Sequence, residues 1–412
     1  MNWWIVEDAL KDRWGHWFEY VRGFRSDLLE LGDQVRVLGD RTAEPEIIAL
    51  TGAEPVLPES IWHRLNDGSS TLKRVLRIVS HARGTCRTMA RIFAEEPSAP
   101  DVVYVPTVLP HHMLAWVWLM KRGRLPSNCC LLLYFVGTPL VWNQSTGSAS
   151  FPRGLQGTLL FLLLRSVARE VARGRVVLGV ETLEMRDALT RASGVLFTYL
   201  PQPVQPTIPV RSDASPLTCE PLLFACYGPA RHEKGSDLLQ QAIKRYLAKA
   251  PASNVEFTIH WPNSFLDTWG RSVKPDLQLE SDRRVTFIRR YLAPGEYADW
   301  LARTDVLLLP YRCSSYGLRG SRVALEAMVN GIPLIVTEQT APGRQAVQYG
   351  AAVLCIDENV EDICRAISTA VDNLVGLRRL AAERMKVVRE HFSARKFRSL
   401  LLEQCDNAGF VA

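Results

Sequence analysis

The chain has 412 residues, 47% of them hydrophobic and 22% charged, and a net charge of +6. That length suits two globular domains, each able to bury its own core. The modest positive balance, without a basic run or a recognition motif, argues against nucleic acid as a partner. It fits anionic substrates or an anionic membrane surface.

Nine cysteines are scattered along the chain, with only Cys129 and Cys130 adjacent and no CxxC pair. Such usage predicts a reducing compartment. The N-terminus MNWWIVEDAL meets acid too soon for a signal peptide. The longest apolar run, 159–164, is far below the roughly 20 residues of a spanning helix. A cytoplasmic chain is expected, soluble or peripheral at the inner face of the membrane.

In chain order, residues 3–6 read as a strand. A helical pattern over 14–31 ends at Gly32, and 34–38 is a second strand. Residues 70–95 combine helical spacing with many Arg, Lys and His residues, which predicts one long solvated helix. Runs at 101–105, 129–136 and 176–180 read as strands, each followed by a helical stretch. This alternation predicts an α/β fold with a parallel sheet under covering helices. The segment 200–216 holds five prolines, at 201, 203, 206, 209 and 216, and is expected to be a stiff connector. The alternation then restarts with a strand at 222–227 and a helix at 234–250. Further strands follow at 255–260, 285–288, 306–309, 334–336 and 352–355, with helices that include 294–302 and 377–391. The expected domains are 1–205 and 217–392, with the tail 393–412 packing back on the first.

Two strand-end loops of the second domain concentrate polar groups. The turn 228–235, Gly-Pro-Ala-Arg-His-Glu-Lys-Gly, follows its first strand and opens its first helix. Arg231 and Lys234 would sit at the mouth of the sheet beside a positive helix end. A guanidinium fork and a point charge suit a diphosphate. The bland alternative is a solvated turn. Residues 305–338 read as strand, polar loop, helix and strand, the order that builds an anion site at the carboxyl edge of a parallel sheet. That loop and helix add Arg319, the hydroxyls of Ser314, Ser315 and Ser321, and the carboxylate of Glu326. The set suits a ligand carrying both phosphate and sugar hydroxyls.

Ala-Arg-His-Glu-Lys-Gly at 230–235, and Tyr316-x-x-Arg319-x-Ser321-x-x-x-x-Glu326-Ala327 followed by Gly331-Ile332-Pro333, resemble the donor half of retaining GT-B-fold glycosyltransferases, the family glycosyl transferases group 1. The resemblance covers nearly all of 218–392 and is one of order and spacing. It implies two Rossmann-like, doubly wound domains facing across a cleft that binds a nucleotide-diphosphate sugar. It implies transfer of the sugar to an acceptor hydroxyl with retention, in polysaccharide or glycoconjugate biosynthesis. Arg231 and Lys234 would hold the diphosphate and stabilise the leaving charge. Glu326 would bind the ribose hydroxyls, with Tyr316, Arg319 and Ser321 completing the donor side. One departure is visible: where many members carry an additional glutamate, this chain has Leu318, so the sugar contacts are expected to be remodelled. The implied acceptor is a glycan, a lipid-linked molecule or a small molecule. A non-catalytic nucleotide-sugar-binding scaffold and a nucleotide-sugar epimerase of the same fold are the alternatives.

In the first domain, Gly15 and His16 lie between the first strand and the first helix. They resemble the family's acceptor-side loop, where a glycine lets the backbone approach the donor phosphate. Packing of His16 against Tyr20, one turn on, is the alternative. His111 and His112 follow the strand at 101–105. The family often has a histidine near there that orients the sugar, and because adjacent side chains diverge, at most one is expected to point inward. No Asp-x-Asp and no His or Cys pair at ligand spacing is present, so neither a metal nor a cofactor is expected. The lack of Gly-x-Ser-x-Gly argues against a serine hydrolase, and the lack of Gly-x-Gly-x-x-Gly after the first strand argues against a dinucleotide oxidoreductase. Apolar residues beside cations at 116–124 and 159–173 suit contact with anionic lipid. A core helix with a basic solvated end is the favoured reading of both.

Overall fold

The short apolar runs become buried parallel strands, because helices cover both faces of such sheets. The computed structural model describes residues 1–13, 17–61, 70–96, 98–143, 146–208 and 221–407. Two units separate: Met1–Val141 with Ser148–Pro203 and Ser393–Ala412, and Trp142–Gly147 with Val204–Phe392.

The first unit contains β1 (Asn2–Glu7), β2 (Gln34–Asp40), β3 (Ala53–Leu57), β4 (Val102–Val105), β5 (Cys130–Phe135), β8 (Val176–Val180) and β9 (Thr198–Tyr199). Between β5 and β8, β6 (Val141–Asn143) and β7 (Ser148–Ser150) pair as a separate ribbon. The main sheet runs β3-β2-β1-β4-β5-β8-β9, with every pairing parallel. Its helices are α1 (Trp17–Glu30), α2 (Pro45–Thr51), α3 (Thr71–Glu95), α4 (Pro110–Lys121), α5 (Leu155–Ala172) and α6 (Leu183–Ser193). The helix Ala394–Asn407 joins this unit too. Its Phe397 ring packs against Phe24, Tyr104 and Tyr134, at centroid distances of 5.1, 5.6 and 5.7 Å. Arg398 donates to Asp33 at 2.9 Å, so an aromatic plug and an ion pair hold the segment.

Two expectations change here. The α3 helix is amphipathic rather than solvated all round: Ile78, His81, Ala82, Thr85, Met89 and Ile92 form a buried stripe, and the cations occupy the remaining faces. Residues 200–204 are buried, so the start of the proline-rich segment is packed rather than extended in solvent.

The second unit repeats the plan with β10 (Leu222–Cys226), β11 (Val255–His260), β14 (Val285–Ile288), β15 (Val306–Leu309), β16 (Leu334–Thr337) and β17 (Ala352–Cys355). The order is β14-β11-β10-β15-β16-β17, again all parallel. A small antiparallel pair, β12 (Phe265–Leu266) and β13 (Ser272–Val273), stands apart. The helices are α7 (Ser236–Lys249), α8 (Leu277–Glu280), α9 (Pro294–Arg303), α10 (Cys313–Tyr316), α11 (Arg322–Val329), α12 (Ala341–Tyr349), α13 (Val360–Asp372) and α14 (Leu374–His391). The segment expected as a polar loop at 311–320 instead contains α10, and Tyr311, Arg312, Cys313, Tyr316 and Leu318 are buried. In both units the strand order reverses at the first strand, between β1 and β4 and between β10 and β15. Open parallel sheets bind ligands beyond the carboxyl ends of strands at such a point.

Candidate functional site

At the carboxyl end of β10 the chain turns through Gly228, whose φ is 78°. A Cβ at this position would collide with the Lys234 Nζ. A single 3-10 turn, His232–Lys234, follows, and Gly235, at φ 63°, delivers the chain into α7. A side chain at Gly235 would run into the Pro310 carbonyl, so the glycine lets this turn close on the exit of β15. Ser236 Oγ accepts from the Arg231 amide at 3.1 Å.

The Lys234 ammonium is buried and, among the described residues, has no carboxylate at ion-pairing distance. Burial above all, with the nearby Arg231 and Arg319 acting in the same direction, brings its pKa down to about 8. Arg231 is half exposed and reaches Glu233 at 3.6 Å. Arg319 lies 4.1 Å over the Tyr316 ring, which in turn stacks on Tyr311 at 4.1 Å. Arg231, Lys234, Tyr316 and Arg319 therefore form one cationic group with an aromatic floor.

Ser321 caps α11: its hydroxyl accepts from the Ala324 amide at 3.3 Å, as an N-cap serine does. Glu326 lies on the same helix, five residues past the cap. Its Oε2 accepts from the Tyr297 hydroxyl at 2.7 Å and its Oε1 from Arg322 Nε at 3.0 Å. The carboxylate is thus held in one orientation. Leu318, at the position of the additional glutamate, is buried in the core.

Sequence reasoning passed over two contributors. Arg312 is buried and forks onto Asp237 at 2.9 and 2.8 Å, reaches Glu358 at 2.9 Å and donates to the His232 carbonyl. It ties the exit of β15 to the 231–237 turn. Its place in the loop that follows an apolar strand, shared with Arg319, is the signal visible in the sequence. Tyr297 had none, because its partner lies 29 residues away.

His111 belongs to the first unit, where it opens α4 at the carboxyl edge of β4. The expectation that adjacent histidines diverge does not hold: both rings turn inward, with centroids 3.9 Å apart. His112 Nε2 lies 3.0 Å from Asp8 Oδ2, and His111 Nε2 lies 4.0 Å from the same oxygen. Burial, together with the Asp8 charge, pushes the Glu7 carboxyl up to about 8. Gly15 and His16 lie outside the described residues.

Residues 221–373 match the family Glycosyl transferases group 1. The match falls wholly within the second unit and spans most of it. A relative of this chain is the lipopolysaccharide core biosynthesis mannosyltransferase LpsB of Rhizobium meliloti, 26% identical over 221 residues. That alignment takes in 48% of this chain and 59% of LpsB, less than two thirds of the relative. Among solved structures, sucrose-phosphate synthase of Thermosynechococcus elongatus superposes with a TM-score of 0.61 at 15% identity, over 99% of this chain and 98% of that one. Anabaena HepE in complex with UDP-glucose gives a TM-score of 0.61 at 13% identity, over 99% of this chain and 100% of that one. These likenesses establish the GT-B fold, with the family match in its second Rossmann-like unit. No helix among the described residues is long and apolar enough to cross a membrane.

Proposed function

We propose that this chain transfers a sugar from a nucleotide-diphosphate sugar to an acceptor hydroxyl, with retention of configuration. The observation that carries the reading is the Lys234 ammonium, buried beside Gly228 with no carboxylate partner among the described residues and backed by Arg231 and Arg319. A cation kept out of water in this way is stabilised by an incoming anion. It lies where the strand order reverses and where α7 starts, so the helix end adds positive potential to the same place.

Arg231 and Lys234 stabilise the charge that develops on the departing diphosphate. The leaving phosphate itself takes the acceptor's proton, so no pair of carboxylates is required, and side chains supply the countercharge without a metal ion. Glu326, oriented by Tyr297 and Arg322, receives the ribose hydroxyls. Tyr316, Arg319 and Ser321 border the sugar side, where Leu318 replaces a charged contact. His111, with Gly15 and His16, belongs to the acceptor-side unit.

LpsB is a mannosyltransferase of lipopolysaccharide core biosynthesis, and HepE is seen with UDP-glucose. The first supports a role in polysaccharide or glycoconjugate assembly, with a glycan, lipid-linked or small-molecule acceptor, and the second a nucleotide-sugar donor. Leu155 and Leu162 are exposed on α5 beside Arg165 and Arg169, a surface suited to peripheral contact with an anionic membrane from the cytoplasmic side. The test is release of a nucleoside diphosphate from a panel of sugar donors with candidate acceptors, followed by NMR of the product anomer. Release that is absent in Lys234→Ala, with retained configuration, supports the reading. Inverted configuration contradicts the mechanism.

A further inference from the structure

We propose that the first unit holds one divalent transition-metal ion, with Zn2+ as the reference, on Asp8, His81 and His111. One donor atom from each of these three residues falls within 4.8 Å of the others, and all three side chains are buried. Asp8 Oδ2 lies 2.9 Å from His81 Nε2 and 4.0 Å from His111 Nε2. Ligands on a tetrahedral zinc, at about 2.0–2.1 Å from the ion, stand roughly 3.3 Å apart, and the observed separations bracket that value.

The hydrogen-bonding pattern points the same way. Among the described residues, all four ring nitrogens of His81 and His111 are buried without a hydrogen-bond partner. Close to them is the Asp8 carboxylate, 2.9 Å from His81 Nε2. Four orphaned ring nitrogens beside one carboxylate are expensive in a dry interior, and one ion would engage both imidazoles. Neutral imidazole and carboxylate form a donor set suited to zinc and its neighbours.

His112 has a different task. Its Nδ1 accepts from the Leu109 amide at 3.1 Å, which leaves the ring proton on Nε2, 3.0 Å from Asp8 Oδ2. His112 therefore donates to the ligand carboxylate and orients it, as outer partners of metal ligands do. Beside Asp8 and His112 a cavity of about 10 Å3 touches Thr107 and Trp116, room for about one water molecule on the Asp8 side of the cluster.

The three ligands come from the end of β1, the inner stripe of α3 and the first turn of α4, so the ion would pin these elements together where the strand order reverses. They are far apart in sequence, and for that reason no ligand spacing is visible there. The site belongs to the first unit alone and is independent of the donor reading.

The test uses the full chain, stripped with chelator and shown by circular dichroism to stay folded, then titrated with Co2+ and with Zn2+. The expected result is one ion retained per chain after gel filtration, a visible absorption band typical of tetrahedral Co2+ that Zn2+ abolishes, and a rise in Tm with Zn2+. His81→Gln and His111→Gln should lose the band, whereas His112→Gln should keep it with affinity weakened about 10–100-fold. If the ligand variants do not fold, the wild-type titration decides. A folded wild type that retains no ion and shows no band, or a band unchanged in folded His81→Gln, would overturn the proposal and leave buried water as the occupant. Stabilisation by nucleoside diphosphates, read on the same samples, separates this outcome from failure of the donor site.

Discussion

Gly228 and Lys234 are coupled by exclusion: a Cβ on the first would occupy the place of the second's ammonium. The left-handed backbone at Gly228, φ 78°, reinforces the requirement. Gly228→Ala is therefore expected to displace Lys234 and to reduce nucleoside-diphosphate affinity about as much as Lys234→Ala does. The strained backbone should add a loss of about 1–2 kcal/mol in stability, measurable by urea unfolding. Wild-type affinity in Gly228→Ala would mean that Lys234 does not depend on this turn.

Lys234 gives the protein a pH signature. The unfolded chain keeps this proton up to its ordinary value of 10.5, and the folded chain releases it at about 8. Between those values the unfolded state binds more protons, so stability rises with pH across the window, by up to about 3 kcal/mol in total. A bound diphosphate favours the charged form, so affinity for it should fall as pH rises above about 8. Lys234→Met should flatten both trends, and calorimetric titrations and unfolding curves between pH 7 and 10 check them.

Arg312 is expected to matter more to the fold of the second unit than to any contact with ligand. Arg312→Ala leaves Asp237 without its fork and frees the 231–237 turn, a loss of about 3 kcal/mol for breaking a largely buried pair. Arg312→Lys keeps the charge but not the paired hydrogen bonds, and should fall between the two. Chemical unfolding reads both variants.

Glu326 is predicted to recognise the nucleoside rather than the phosphates. Glu326→Gln should weaken nucleoside-diphosphate binding by about 1–2 kcal/mol and leave inorganic pyrophosphate binding unchanged. Tyr297→Phe removes one of its orienting hydrogen bonds and should show the same selectivity, more weakly. Equal loss for both ligands would place Glu326 with the phosphates.

The parallel architecture was legible because both-face burial writes largely apolar runs, and most strands of the two sheets coincide with one, although Arg36 interrupts β2 and Glu256 interrupts β11. β3 is not evident in the sequence: Ala53–Leu57 contains a glutamate and a proline, which disfavour a strand, yet it pairs with β2 at the sheet edge, where proline is tolerated. The 228–235 turn and the 316–326 motif could be found because their chemistry is local in sequence. Arg312 with Asp237, Tyr297 with Glu326, and Asp8 with His81 and His111 are tertiary pairings, and only the folded sheet brings them together. The fate of 311–320 has a similar cause. Its polar composition reads as a loop, but Tyr311 and Tyr316 stack on each other and carry the segment inside.

Thermal stabilisation by UDP, GDP, ADP, CMP and dTDP, measured in parallel on wild type and Lys234→Ala, tests the central claim most directly. A ligand at a hundredfold excess over its Kd adds about 2.7 kcal/mol to stability. The account predicts a clear rise in Tm with one nucleoside diphosphate and none in the folded Lys234→Ala variant. An equal rise in both proteins, or no rise with any of the five nucleotides, would contradict Lys234 as the anchor of the donor diphosphate.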